Sequence, residues 1–174
     1  MQIYLAGPLF TQAERAWNLG LADLPRRAGY SVFLPQTEVE AIANLDAATI
    51  FRVDLDGARS ADVVVAVVDG ADADSGTSFE VGLAYALGIP IVLVRSDFRS
   101  GGDALPGQKL DSVNLMLSEA ATGLVAWTDP GGTLADLAAA LVSTLAQLPR
   151  GLARVDRLTR EDSAFLQPEG GSSA

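Results

Sequence analysis

Short, nearly unbroken apolar runs alternate along this chain with longer stretches in which apolar residues recur at helical spacing. Ile3-Tyr-Leu-Ala6, running into Gly7-Pro8, predicts a first strand ended by a turn. A helix is predicted from about Thr11 to Ala28, with Thr11 as N-cap, Glu14 completing a capping box and Gly29 as the stop. Tyr30 to Leu34 predicts a second strand, stopped by Pro35. From about Thr37 to Ala61 the pattern predicts two helical pieces, with Ile50, Val53 and Gly57 along one face of the second. Val63 to Val68 is almost wholly β-branched, as in a central strand buried on both faces. A helix over Phe79 to Leu87 follows, terminated by Gly88, then a fourth strand from Pro90 to Val94. Arg95 to Gly107 is polar and Gly-rich and predicts a long loop. Asn114 to Leu117 predicts a short helical segment, Gly123 to Trp127 a fifth strand and Leu134 to Leu148 a last helix.

Five strands alternating with helices call for a three-layer α/β fold around an open parallel five-stranded sheet, Rossmann- or flavodoxin-like. The expected strand order is 2-1-3-4-5, with a ligand crevice between strands 1 and 3. Gly7-Pro8 and the segment from Asp69 to Gly76 would face each other across it. One domain over residues 1–166 is expected, followed by a disordered tail, 167–174.

Composition narrows the chemistry. With no Cys and no His among 174 residues, disulfides, thiolate metal sites and His-based triads are excluded. Acid-base work falls to Asp, Glu, Tyr, Lys or Arg. The formal net charge of −10 disfavours a nucleic-acid polymer as partner and leaves a small uncharged ligand open. No apolar run approaches the ~18 residues of a membrane span. Met1-Gln-Ile-Tyr-Leu lacks the pattern of a signal peptide, so a soluble, cytoplasmic protein is expected.

The densest candidate chemistry is Asp74-Ser-Gly-Thr-Ser-Phe-Glu80-Val-Gly82, directly after the most apolar strand. Two carboxylates stand there at a strand-to-helix turn. A carboxylate at a helix start is expected to stay ionised, favoured by the helix N-terminus, and an ionised carboxylate beside a sugar suits glycosyl transfer. No Gly-x-Gly-x-x-Gly follows the first strand and no P-loop lysine is present, which argues against dinucleotide and ATP sites. Asp69, Asp72 and Asp74 lack the spacing of a calcium loop, and no metal or cofactor is expected.

Ile3-Tyr-Leu-Ala-Gly-Pro8, Asp54 before Ser60-Ala-Asp62-Val-Val, the Asp74 to Gly82 run and Asn114-Leu-Met116 occur in an order that resembles the nucleoside 2-deoxyribosyltransferase family, over roughly residues 3 to 127. The resemblance implies an enzyme that passes 2'-deoxyribose between nucleobases through a covalent sugar–enzyme intermediate. It implies Glu80 as nucleophile, Tyr4 as the residue that orients it and Asp54 as the acid involved in base binding and proton transfer. It also implies Asp74 on the sugar side, Gly7 as a substrate-binding residue, Gln36 at the base, and Asn114 with Met116 beside it, Asn114 coming from a neighbouring subunit. The implied partners are nucleosides and free bases, and the implied assembly is a homo-oligomer with shared sites.

Each residue also has a plainer reading. Glu80 and Asp74 suit a helix N-terminus, Asp74 as its cap; Asp54 suits a solvated helix face, Tyr4 the core and Asn114 a helix cap. Related hydrolases of nucleoside 5'-monophosphates place a Ser where this chain has Asp74. A carboxylate there would repel a phosphate and accept from a neutral 5'-hydroxyl, which favours free nucleosides. Hydrolysis of (deoxy)nucleosides or their 5'-monophosphates is the alternative activity, and a nucleoside-binding module without turnover is the reading from another class.

Overall fold

A computed structural model describes residues 1–42, 46–97, 104–105, 108–109, 113–126 and 132–148. The elements run β1 (Gln2–Ala6), α1 (Gln12–Arg27), β2 (Ser31–Phe33), α2 (Pro35–Glu38), a 3-10 turn (Val39–Ala41), α3 (Ala47–Ser60), β3 (Val63–Val67), α4 (Ser75–Ala86), β4 (Ile91–Arg95), β5 (Ala104–Leu105), β6 (Gln108–Lys109), α5 (Leu115–Ala120), β7 (Gly123–Ala126) and α6 (Leu134–Gln147). The main sheet is all parallel in the order β2-β1-β3-β4-β7. This is the doubly wound order expected, since β7 is the fifth strand of that sheet. Its topological switch lies between β1 and β3, where chain connections leave in opposite directions.

The alternation of side chains along each strand builds two cores. Ile3, Leu5, Val65 and Val92 face α1 and α6, against Leu21, Leu137 and Leu141. Tyr4, Ala6, Val64, Ala66 and Leu93 face the other layer, against Ala58 of α3, Val81 and Ala84 of α4 and Leu117 of α5. All five residues of β3 and of β4 are buried, which explains the unbroken apolar runs Val63 to Val67 and Ile91 to Val94. The capping box of Thr11 and Glu14 is formed. Gly29 and Gly88, with φ of 88° and 67°, follow the ends of α1 and α4.

Several boundaries differ from the sequence pattern. Strand β2 is shorter than expected because Leu34 already caps α2, with Pro35 at the first helical position. The stretch expected as a loop from Arg95 to Gly107 begins with the last residue of β4 and contains β5, which pairs antiparallel with β6. Two-residue strands are too short to leave a periodic signal. Trp127 and the expected tail, 167–174, lie outside the described residues. Among the described residues no helix is long and apolar enough to cross a membrane.

Candidate active site

Strand β1 brings Tyr4 to the face that α3 and α4 cover, with no exposed surface. Its ring stacks on Phe33 of β2, centroids 5.3 Å apart and planes 20° from parallel. Behind Phe33 lies Gly57 of α3, where an added Cβ would come within 2.5 Å of the ring. Only a glycine lets the helix approach this closely. Tyr4 is thus backed by a ring that is itself backed by a helix.

Helix α4 begins at Ser75, four positions earlier than the sequence pattern placed it. The reason is Asp74, whose Oδ2 accepts from the backbone N–H of Gly76 (2.9 Å) and of Thr77 (3.1 Å). The hydroxyl of Ser78 donates to the Asp74 carbonyl. Ser-Gly-Thr-Ser, polar and flexible enough to suggest a turn, is therefore the capped first turn of a helix. Glu80 consequently sits in the second turn, beyond the reach at which a helix end strongly favours charge.

Tyr4 Oη donates to Glu80 Oε1 at 2.5 Å. Burial pushes the Glu80 carboxyl up from 4.5 to about 7; the Tyr4 hydrogen bond pulls the other way, and Asp54 and Asp74 add to the rise. The expectation of a carboxylate held ionised by the helix N-terminus is therefore corrected: removal from water outweighs the favourable hydrogen bond. Burial also raises the Tyr4 phenol, helped by the charge of Glu80 and the bond to it, so Tyr4 remains the donor. Asp54 of α3 is raised by burial, and its Oδ1 is buried without a hydrogen-bond partner. The plainer reading of Asp54 as a solvated surface acid does not describe it.

Glu80 and Asp54 line one cleft of about 440 Å³ between α3 and α4. Its remaining walls are Gly76 and apolar side chains, including Ile50, Leu83, Phe51 and Phe79. Among the described residues its lining holds two carboxyl groups and no cation. Phe51 and Phe79 form a tilted pair, centroids 6.1 Å apart, each 54% exposed. The sequence reading missed this pair. The available signal was Phe51 three residues before Asp54, one helical turn away on the same face.

Other candidates lie apart from this cleft. Asn114 caps α5 by accepting from Met116 N–H, and both residues line a second cleft on the other flank of α4, with Ser78, Gly82 and Tyr85. Gln36 is buried, its Nε2 donating to the Arg15 carbonyl and its Oε1 accepting from Asn18 Nδ2, which also donates to the Pro8 carbonyl. Gly7 closes the end of β1 against Val67, where an added Cβ would stand 3.2 Å from the Val67 Cβ.

A carboxyl group raised by burial and held by a buried tyrosine at the carboxyl edge of a doubly wound sheet is the setting of the motif from Asp74 to Gly82. Residues 3–128 match the family model described as nucleoside 2-deoxyribosyltransferase. The chain belongs to this family. No curated protein matches it in sequence. Among solved structures, this family member is similar to a conserved protein from Enterococcus faecalis V583, with 27% identity, TM-score 0.63, and coverage of 83% of this chain and 98% of that one. It is also similar to a 2-desoxiribosyltransferase from Leishmania mexicana (23% identity, TM-score 0.60, 85% and 99% covered). A third similar structure is the 2-deoxyribosyltransferase from Bacillus psychrosaccharolyticus (23%, 0.58, 79% and 96%). Membership supports chemistry at the N-glycosidic bond of nucleosides, by transfer or by cleavage.

Proposed function

We propose that this chain moves 2'-deoxyribose between nucleobases through a covalent deoxyribosyl–Glu80 intermediate. The observation that carries the reading is the 2.5 Å contact of Tyr4 Oη with Glu80, in a cleft whose other ionisable wall is Asp54. Ionised Glu80 attacks the anomeric carbon; the carbon–nitrogen bond breaks and its electron pair leaves with the base. Asp54, whose burial favours the neutral carboxyl, gives its proton to the departing base nitrogen. An incoming base returns a proton to Asp54, its nitrogen attacks the same carbon, and Glu80 leaves as carboxylate. Two displacements restore the starting anomer. Tyr4 holds Oε1, which orients the attacking carboxylate.

Asp74 and Gly7 complete the sugar side in this reading, Gly7 by permitting close approach and Asp74 by accepting from a neutral 5'-hydroxyl. A cleft whose described lining holds carboxyl groups and no cation supports a free nucleoside over a monophosphate. Gln36 contributes by holding Asn18, which anchors the Pro8 carbonyl; its own amide is engaged inside the chain. Asn114 and Met116 line a different cleft from Glu80, which supports a symmetric oligomer in which a second copy supplies them.

Incubation with thymidine and adenine tests the reading, with deoxyadenosine and thymine as the expected products. Thymine with free deoxyribose and no deoxyadenosine would remove transfer and leave hydrolysis. Glu80→Ala should be folded by circular dichroism yet inactive, and retained turnover would remove Glu80 as nucleophile.

A further inference from the structure

Arg95 ends β4 at the carboxyl edge of the sheet and is 3% exposed, the one charged side chain among the described residues that is fully buried. Its Nη1 donates to the Val68 carbonyl (3.2 Å) and its Nη2 to the Gly70 carbonyl (3.1 Å). Nη2 also forms an ion pair with Asp97 Oδ1 at 2.9 Å. Asp97 Oδ2 in turn accepts from Gly70 N–H at 2.7 Å. Asp69 binds in the opposite direction: Oδ1 accepts from the N–H of Ser96 (2.6 Å) and of Asp97 (3.2 Å), and Oδ2 from the Ser96 hydroxyl (2.5 Å). Residues 68–70 and 95–97 are buckled together from both sides.

Stability alone is a weak reason for this arrangement. A buried ion pair is often matched or surpassed by apolar residues of similar volume, because desolvation offsets the attraction. What the buckle does provide is direction. It fixes the first half of the segment that leaves β3, and the second half of that segment ends on Asp74, which caps α4 and so places the helix carrying Glu80. We propose that Arg95 is a positioning residue that sets the path of this segment and thereby places Asp74 against the sugar. The proposal rests on the reading of Asp74 as a sugar contact. It adds a residue that touches no substrate to the determinants of substrate affinity.

The test is a double-mutant cycle on the full chain with Arg95→Met and Asp74→Asn, both keeping side-chain volume, and Asn retaining a good helix cap. Arg95→Met should raise KM for the deoxynucleoside about tenfold with kcat within about twofold, a coupling of ordinary size for neighbouring groups. A variant that only lost folded protein would lower kcat at unchanged KM. In the Asp74→Asn background the Arg95 change should add less than about twofold. Hydrogen exchange of the Gly76 and Thr77 amides, which Asp74 caps, should quicken about tenfold in Arg95→Met and stay unchanged in α1. Unchanged KM, full additivity in the cycle or unchanged exchange would each overturn the proposal. If Arg95→Met does not fold, Asp69→Asn weakens the same buckle and is expected to move KM and exchange in the same direction. If the wild-type protein turns over no nucleoside, the functional reading fails, and the exchange measurement still decides whether Arg95 positions Asp74.

Discussion

At the scale of the residue, the site turns on a carboxyl group whose surroundings pull it two ways. As the proposed nucleophile Glu80 must be ionised to attack, yet burial raises it to about 7. Turnover should therefore rise as Glu80 ionises through about 7, read as the acid limb of kcat/KM, and fall again where Asp54 loses the proton it gives to the base. Tyr4→Phe removes the one interaction that favours the charged form, so this limb should move to higher pH and the rate fall about tenfold or more. An unmoved limb would show that Tyr4 does not act through Glu80. The same shift has a cost in stability. A group raised in the folded state binds its proton more tightly there than in the unfolded chain. Its contribution is therefore full below about 4.5 and is lost as pH rises through about 7. A rise of this size corresponds to roughly 3 kcal/mol. Glu80→Gln cannot ionise and keeps an acceptor for Tyr4, so it should melt several degrees above the wild type at pH 8 and show no gain at pH 4, by thermal unfolding. Equal melting at pH 8 would contradict the strained state of this carboxylate.

At the scale of the element, α4 combines a stop, a start and a reactive turn within a dozen residues. Asp74 caps the helix and, in the proposed reading, also contacts the sugar, so its two roles need separating. Asp74→Ser does so, because serine caps about as well as aspartate and carries no charge. The variant should keep its melting temperature within about a degree or two while nucleoside use weakens and 5'-monophosphates are admitted, measured by product chromatography. Unchanged nucleoside kinetics would reduce Asp74 to a cap. The true start of α4 was not legible in the sequence, because Ser, Gly and Thr suit turns and first helical turns alike; the side chain of Asp74 decides between them. Glu80 was singled out by its motif, but its ionisation was not legible, since that depends on Tyr4, Asp54 and the depth of a cleft formed by separate elements. Phe51 and Phe79 escaped notice for the same reason: they meet only when α3 and α4 pack.

At the scale of the whole molecule, the sheet order followed from the alternation of buried runs with amphipathic segments, because a parallel sheet buried on both faces leaves an unmistakable apolar signature in Val63 to Val68 and Ile91 to Val94. The buckle between residues 68–70 and 95–97 was not readable, since its partners are more than two dozen positions apart and individually resemble ordinary loop residues. The two sides of the sheet also divide the work. The fully buried hydrophobic side chains facing α1 and α6 carry no hydroxyl, whereas those facing α3 and α4 include Tyr4, the donor to Glu80. Tyr4 cannot turn away without Phe33 and the packing against Gly57 opening with it. The Tyr4–Glu80 pair consequently has no melting point of its own. On heating, loss of activity and loss of the far-ultraviolet helix signal should share one midpoint, and an earlier inactivation step would mean that α4 separates from the sheet while the sheet survives.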